Sequence, residues 1–160
     1  MSDFVGRVGE VEAGDARVRV RYAETDQMGV VYHANYLVWF EVGRVEKIRS
    51  LGLNYKGMEA EGLMIAVAEA TARYKAPARY DDEILVRTRV SGLRGAIVRF
   101  SYVVERMPDG MVLCTGETVH VVVGRDMQKR RLPEVYAEVF RRAMEEDRAS
   151  SPAVGIKELR

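Results

Sequence analysis

The longest helix-like stretch of the sequence is NYLVWFEVGRVEKIRSL, residues 35–51. Its apolar side chains recur every three to five residues, at Leu37, Phe40, Val45, Ile48 and Leu51. Glu41, Arg44, Glu46, Lys47 and Arg49 lie between them, which is typical of an amphipathic helix that buries one face. We expect Asn35 to cap this helix and Gly52 to end it. Gly43 costs about 1 kcal/mol relative to alanine inside a helix, so we expect another backbone to approach closely there.

Outward from this helix, five stretches have the character of strands, and they are residues 16–22, 63–75, 83–93, 96–106 and 112–123. In the first, arginines alternate with apolar residues, and this period of two is typical of a half-buried strand. Short turns separate the last three stretches, which predicts antiparallel neighbours. A second helix is predicted over residues 133–147, with proline at its first position.

The order of a strand, a long helix and four more strands predicts an α+β layer, in which the helix covers one face of an antiparallel sheet. One helix does not cover a five-stranded sheet completely. The apolar surface left over and an exposed edge strand favour an oligomer.

Length and composition exclude several classes of protein. The chain has 160 residues, which predicts one domain over 15–147 with a flexible leader (1–14) and a C-terminal tail (148–160). Lysine and arginine number 25 against 24 acidic residues, so the net charge of +1 argues against a nucleic-acid-binding protein.

No apolar stretch approaches the roughly 20 residues of a membrane span. One cysteine and two histidines make a metal centre unexpected. The N-terminal residues lack the pattern of a signal peptide, so a cytoplasmic protein is expected.

The segment that carries the candidate catalytic groups is YAETDQMGVVYHANY, residues 22–36, which joins the first strand to the long helix. A helix start offers unpaired N–H groups and the positive end of the helix dipole, which can polarise a carbonyl oxygen. Asp26 and Glu24 are the carboxylates available beside it. The residues alone therefore predict acyl transfer or hydrolysis, with an acidic side chain as nucleophile or base.

Two stretches carry a resemblance to a known family. Residues 25–36, TDQMGVVYHANY, resemble the active-site signature of the 4-hydroxybenzoyl-CoA thioesterase family of hotdog-fold proteins. His33 at its position resembles the YbgC-type branch, which hydrolyses acyl-CoA thioesters. Residues 74–82, YKAPARYDD, resemble a stretch that these proteins carry between two strands. The resemblance covers about residues 15–140. It implies a five-stranded antiparallel sheet wrapped around one long helix, plus a short C-terminal helix.

The resemblance also implies roles for single residues. Asp26 falls on the family's catalytic aspartate, which attacks the thioester carbonyl or activates a water. The backbone N–H of His33 falls on the donor that polarises this carbonyl, and the side chains of His33 and Tyr22 match positions that orient the reacting groups. Gly29 lets the loop turn tightly. Asn35 matches an asparagine that caps the helix and can contact the substrate.

Further expectations concern coenzyme A and the assembly. The phosphates of coenzyme A need cations, and the candidates are Arg79 and the basic run Lys129, Arg130 and Arg131. No metal or retained cofactor is implied, because coenzyme A is part of the substrate. The family resemblance implies a homodimer or homotetramer with active sites at subunit interfaces.

Several alternatives remain open at this point. Asp26 has an ordinary role available as a turn cap, and Tyr22 one in core packing. The run 129–131 is also typical of a solvated turn. A thioesterase acting on acyl carrier protein would use a basic docking patch, whereas a non-catalytic hotdog protein would bind acyl-CoA, or serve as a scaffold, without releasing thiol.

Overall fold

The computed structural model describes residues 10–150. Within them, eight main elements follow each other along the chain: β1 (Ala16–Arg19), α1 (Asn35–Ser50), α2 (Tyr55–Ala60), β2 (Met64–Tyr74), β3 (Glu83–Arg94), β4 (Ile97–Met107), β5 (Met111–Val123) and α3 (Glu134–Ala149). The long helix, the four later strands and the second helix lie where the sequence predicts them. Most of the predicted leader and tail lies outside the described residues.

The five strands form one antiparallel sheet in the order β1-β3-β4-β5-β2. The last three strands are sequential neighbours, as their short turns predict. The first two strands lie at opposite edges of the sheet, because α1 and α2 separate β2 from β1 along the chain. β2 therefore pairs on one side only within the described chain.

Helix α1 packs against one face of this sheet. Phe40 stacks on Tyr102 of β4 with ring centroids 4.4 Å apart, and both side chains are buried. A Cβ added at Gly43 would come within 2.6 Å of Val86 and of Thr88 on β3. A close approach at Gly43 is thus confirmed, although the neighbours are side chains rather than a backbone. Together these features confirm the predicted hotdog architecture.

The buried face of α1 differs from the predicted one. The helix buries Arg44 instead of Leu37, whose side chain is 42% exposed. The Arg44 guanidinium donates a hydrogen bond of 3.1 Å to the Tyr102 hydroxyl, and that hydroxyl lies 2.6 Å from the hydroxyl of Thr118. Nε2 of His120 lies 2.7 Å from the same threonine oxygen. We call Arg44, Tyr102, Thr118 and His120 the buried polar chain.

Helix α2 is not among the predicted elements. Asn54 caps it, because the side-chain oxygen accepts hydrogen bonds from the N–H groups of Lys56 at 2.8 Å and Gly57 at 3.4 Å. A capping asparagine before a helix is a recognisable signal. The helix has only six residues, and this length leaves little apolar periodicity to detect.

Helix α3 joins the end of α1 to the sheet. Asp147 forms an ion pair of 2.8 Å with Lys47 and accepts a hydrogen bond of 2.8 Å from the N–H of Val90. The helix continues to Ala149, two residues beyond the predicted end. None of the helices in residues 10–150 has the length and apolar character that crossing a membrane requires.

Candidate active site

The loop before α1 forms a tight turn around Asp26. Thr25 and Val31 form an antiparallel bridge at its base, and the N–H of Asp26 donates to the carbonyl of Val30 at 2.9 Å. Gly29 lies at the tip with φ of +76°, a region that side chains rarely adopt. The tight turn predicted at Gly29 is confirmed.

The carboxylate of Asp26 is only partly engaged by this turn. Oδ1 accepts the N–H of Met28 at 2.9 Å, so the ordinary role of a turn cap is real. Oδ2 has no hydrogen-bond partner among residues 10–150. The half-buried side chain lines a cavity of about 300 Å³. One carboxylate oxygen is therefore available for a substrate or a water.

The start of α1 opens onto the same cavity through His33. The N–H groups of Asn35 and Tyr36 donate to the carbonyls of Tyr32 and His33 at 3.0 and 3.3 Å. Those of His33 and Ala34 find no acceptor in the described part of the chain. Free N–H groups at the positive end of a helix stabilise an oxyanion. A basic or nucleophilic carboxylate and candidate oxyanion donors thus belong to one local site.

Glu24, the other carboxylate of the loop, has a structural role. It is buried, and its Oε2 accepts the indole N–H of Trp39 at 3.0 Å. Its Oε1 accepts the backbone N–H of Arg21 at 2.8 Å and pairs with the arginine Nε at 3.3 Å. Both oxygens are consumed in holding the loop against α1. Of these two carboxylates, only Asp26 has an oxygen at the cavity that no group within residues 10–150 binds.

The prediction that Asn35 caps α1 is wrong. The cap position is Ala34, which makes no side-chain cap bond, and Asn35 is the first helical residue. Its amide nitrogen donates instead to the backbone carbonyl of Glu24 at 2.9 Å. Asn35 thereby helps Glu24 fix the loop to the helix, while contact with a substrate stays a prediction.

The predicted position of Tyr22 is also wrong. β1 ends at Arg19, and Tyr22 begins a short 3₁₀ helix in which its side chain is 78% exposed. The chain leaves the strand direction here because the side chain of Glu24 caps this helix. The Tyr22 ring contacts Tyr80 edge-on at 5.6 Å and does not line the cavity. Core packing is excluded by this exposure, and a catalytic role is not supported within one chain.

The predicted cations lie in two different places. Lys129 bridges to Val123 at the end of β5, whereas Tyr74 beside the cavity pairs with Cys114 near its start. Nine residues separate Cys114 from Val123, which is about 30 Å at about 3.3 Å per residue. Residues 129–131 therefore do not join the cavity within one chain. Arg79 follows the cavity wall by two residues and is exposed.

Three polar residues of the cavity are not among the predicted site residues. Tyr36 and Tyr74 form an aromatic wall with ring centroids 5.2 Å apart, and Lys75 lies beside them as a cation in the same cavity. Burial raises the pKa of both tyrosines, so their hydroxyls stay protonated at neutral pH. The available signal was the second family-like stretch, which includes both Tyr74 and Lys75.

Two other chemistries find no support at this site. Cys114 is buried, and this burial raises the pKa of its thiol to about 11. The thiol is therefore a poor nucleophile near neutral pH. Among residues 10–150, no group of three or more histidine, cysteine or acidic side chains is arranged to hold a metal ion.

Comparison with known proteins places this site in a family. Residues 20–143 match the model of the thioesterase-like superfamily. The chain is 39% identical to the YneP protein of Bacillus subtilis over 112 residues, covering 70% of this chain and 80% of YneP. It is 33% identical to the acyl-CoA thioester hydrolase YbgC of Escherichia coli over 127 residues, covering 78% of this chain and 92% of YbgC.

A solved structure agrees with this relationship. The DHNA-CoA thioesterase of Staphylococcus aureus superposes with a TM-score of 0.80 at 29% identity, covering 87% of this chain and 95% of that protein. The fold and the sequence similarity agree. The chain belongs to the thioesterase-like superfamily of hotdog proteins.

Proposed function

We propose that this protein hydrolyses acyl-CoA thioesters to a free acid and coenzyme A. One observation carries the proposal. Within residues 10–150, Asp26 has a carboxylate oxygen without a hydrogen-bond partner, and the N–H groups of His33 and Ala34 at the start of α1 have no acceptor. Asp26 and His33 line the same cavity. The similarity to YbgC of Escherichia coli, an acyl-CoA thioester hydrolase, supports the same substrate class.

The reaction needs only water and the thioester. The N–H of His33 polarises the thioester carbonyl and holds the negative charge that develops on its oxygen. Asp26 either takes a proton from an attacking water or attacks the carbonyl itself to form an anhydride, which water then opens. In both routes the C–S bond breaks, the thiolate leaves and takes up a proton, and oxygen from water ends in the acid. The proposal requires no metal and no retained cofactor.

The proposed enzyme works as a homodimer at least, and as a homotetramer by the family expectation. β2 has one unpaired edge in the described chain, and Val67 on it is 55% exposed. Leu37, Val38 and Val42 expose further apolar surface on α1. A second copy would cover such an edge and face, and it would add cations for the phosphates to Lys75 at the cavity. Light scattering would then give at least twice the 18.1 kDa chain mass. A cytoplasmic location is part of the same proposal.

The decisive experiment follows thiol release from short, medium, long and aromatic acyl-CoAs with the native protein and Asp26→Asn. We expect the substitution to lower kcat by about 10²-fold or more, while binding of a non-hydrolysable thioether analogue is retained. Asp126→Asn is the matched control, because Oδ1 of Asp126 accepts the N–H of Gln128 at 3.0 Å in the same kind of turn.

The outcomes separate the parts of the proposal. Native turnover that survives in Asp26→Asn would remove Asp26 from the mechanism. Binding of acyl-CoA without thiol release from any member of the panel would favour the non-catalytic alternative. Turnover restricted to acyl groups carried on acyl carrier protein would replace the substrate class.

A further inference from the structure

Tyr74 makes a direct contact with the start of α1 that the proposed mechanism does not use. It is the last residue of β2, and its hydroxyl donates a hydrogen bond of 3.0 Å to the backbone carbonyl of His33. Its ring contacts the His33 imidazole edge-on at 6.2 Å and lines the cavity with Asp26. One side chain thus connects the edge strand, the helix start and the cavity wall.

The carbonyl that Tyr74 binds belongs to a peptide group whose N–H finds no acceptor in the part of the chain that the structure describes. The C=O of His33 and the N–H of Ala34 lie in one planar group, so fixing the direction of one fixes the other. The only other hydrogen bond to this carbonyl in the described residues comes from the N–H of Tyr36 at 3.3 Å. The shorter of its two bonds is therefore the one from Tyr74.

The same contact also restrains the preceding peptide group. The N–H of His33, which the proposed mechanism uses, shares its Cα with the carbonyl that Tyr74 holds. A rotation of the 33–34 peptide changes ψ of His33 and moves the first turn of the helix relative to Asp26. Small displacements of positioned groups have large effects on rate, because only a correctly placed donor stabilises the developing charge.

We infer that Tyr74 is a positioning residue for thioester hydrolysis, acting through its hydroxyl on the 33–34 peptide. The inference rests on the proposed function and adds a role to it. A positioning residue affects the transition state more than substrate binding, so its loss lowers kcat and leaves KM nearly unchanged. A tether with only a structural role would lower stability without this separation.

The test compares the native protein with Tyr74→Phe, which removes the hydroxyl and keeps the ring. The matched control is Tyr136→Phe. Tyr136 lies on α3, away from the cavity, and its hydroxyl donates a hydrogen bond of 2.6 Å to Glu61. For Tyr74→Phe we expect kcat to fall about tenfold, the size of one neutral hydrogen bond, and KM to stay within about twofold. The ¹H–¹⁵N signal of the Ala34 amide should move as well, since its peptide loses a hydrogen bond. Tyr136→Phe should change neither kcat nor that signal.

Each failure has its own signature. If the native protein depends on Asp26 and Tyr74→Phe retains native kcat, this inference is wrong and the proposed function stands. A rise in KM with unchanged kcat would make Tyr74 a binding contact and also overturn the inference. If the native protein releases no thiol from any acyl-CoA, the proposed function fails and this inference fails with it.

Discussion

At the scale of single residues, two carboxylates that lie two positions apart have opposite tasks. Both oxygens of Glu24 accept hydrogen bonds, from the indole of Trp39 and from Arg21. One oxygen of Asp26 has no partner in the described residues. The loop sequence alone leaves both carboxylates open. The indole that distinguishes them lies fifteen residues further along the chain, so only the folded arrangement separates a structural acid from a candidate catalytic one.

The structural task of Glu24 predicts a loss of stability. Glu24→Gln replaces one acceptor oxygen by an amide that faces an N–H donor, and charge-assisted hydrogen bonds are lost. We expect the free energy of unfolding to fall by about 2 kcal/mol, as measured by urea denaturation. Glu146→Gln, an exposed carboxylate on α3, should change it by less than about 0.5 kcal/mol. Equal effects of the two substitutions would contradict the structural role.

At the scale of elements, the existence of α1 is predictable from sequence and its orientation is not. The helix has apolar side chains on both faces, since Phe40 is buried while Val38 and Val42 are exposed. A 3.6-residue period cannot choose between two apolar faces. The choice depends on distant partners, which are the Tyr102 ring under Phe40 and the Tyr102 hydroxyl beside Arg44. Long-range pairing of this kind is absent from any local window of sequence.

The close contact of α1 with β3 gives a second prediction. Gly43→Ala adds a Cβ 2.6 Å from Val86 and Thr88, so overpacking should lower the free energy of unfolding by about 1–3 kcal/mol. Gly57→Ala in α2 is the control, because its nearest neighbour would be Asn54 at 3.9 Å. Alanine is the better helix former, so this control should be neutral or more stable by up to about 1 kcal/mol. Calorimetric midpoints measure both. A stabilising effect at Gly43 would mean that β3 lies further from α1.

At the scale of the whole molecule, a polar network lies inside the hydrophobic core. The buried polar chain joins α1, β4 and β5, and His120 at its end is fully buried. Among the described residues, Nδ1 of this histidine makes no hydrogen bond of ordinary geometry. Burial, and then the nearby charge of Arg44, lower the pKa of His120 from 6.5 to about 4. His120 lies among valines on β5, a setting typical of a structural histidine, but its coupling to an arginine on α1 depends on the tertiary packing.

This lowered pKa makes the stability of the fold depend on pH. Above pH 6.5 His120 is neutral in the folded and unfolded states. As the pH falls from 6.5 towards 4, the unfolded state binds the proton first. The stability that neutral His120 contributes is therefore lost over this interval, by about 3 kcal/mol in total.

Urea denaturation between pH 7 and 4 measures the loss. His120→Gln keeps a hydrogen-bonding side chain that does not titrate, so its curve should be flatter than the native one by this amount. His33→Gln, which removes the other histidine of the chain at an exposed position, is the control. A native slope in His120→Gln would assign the acid sensitivity to the carboxylates instead.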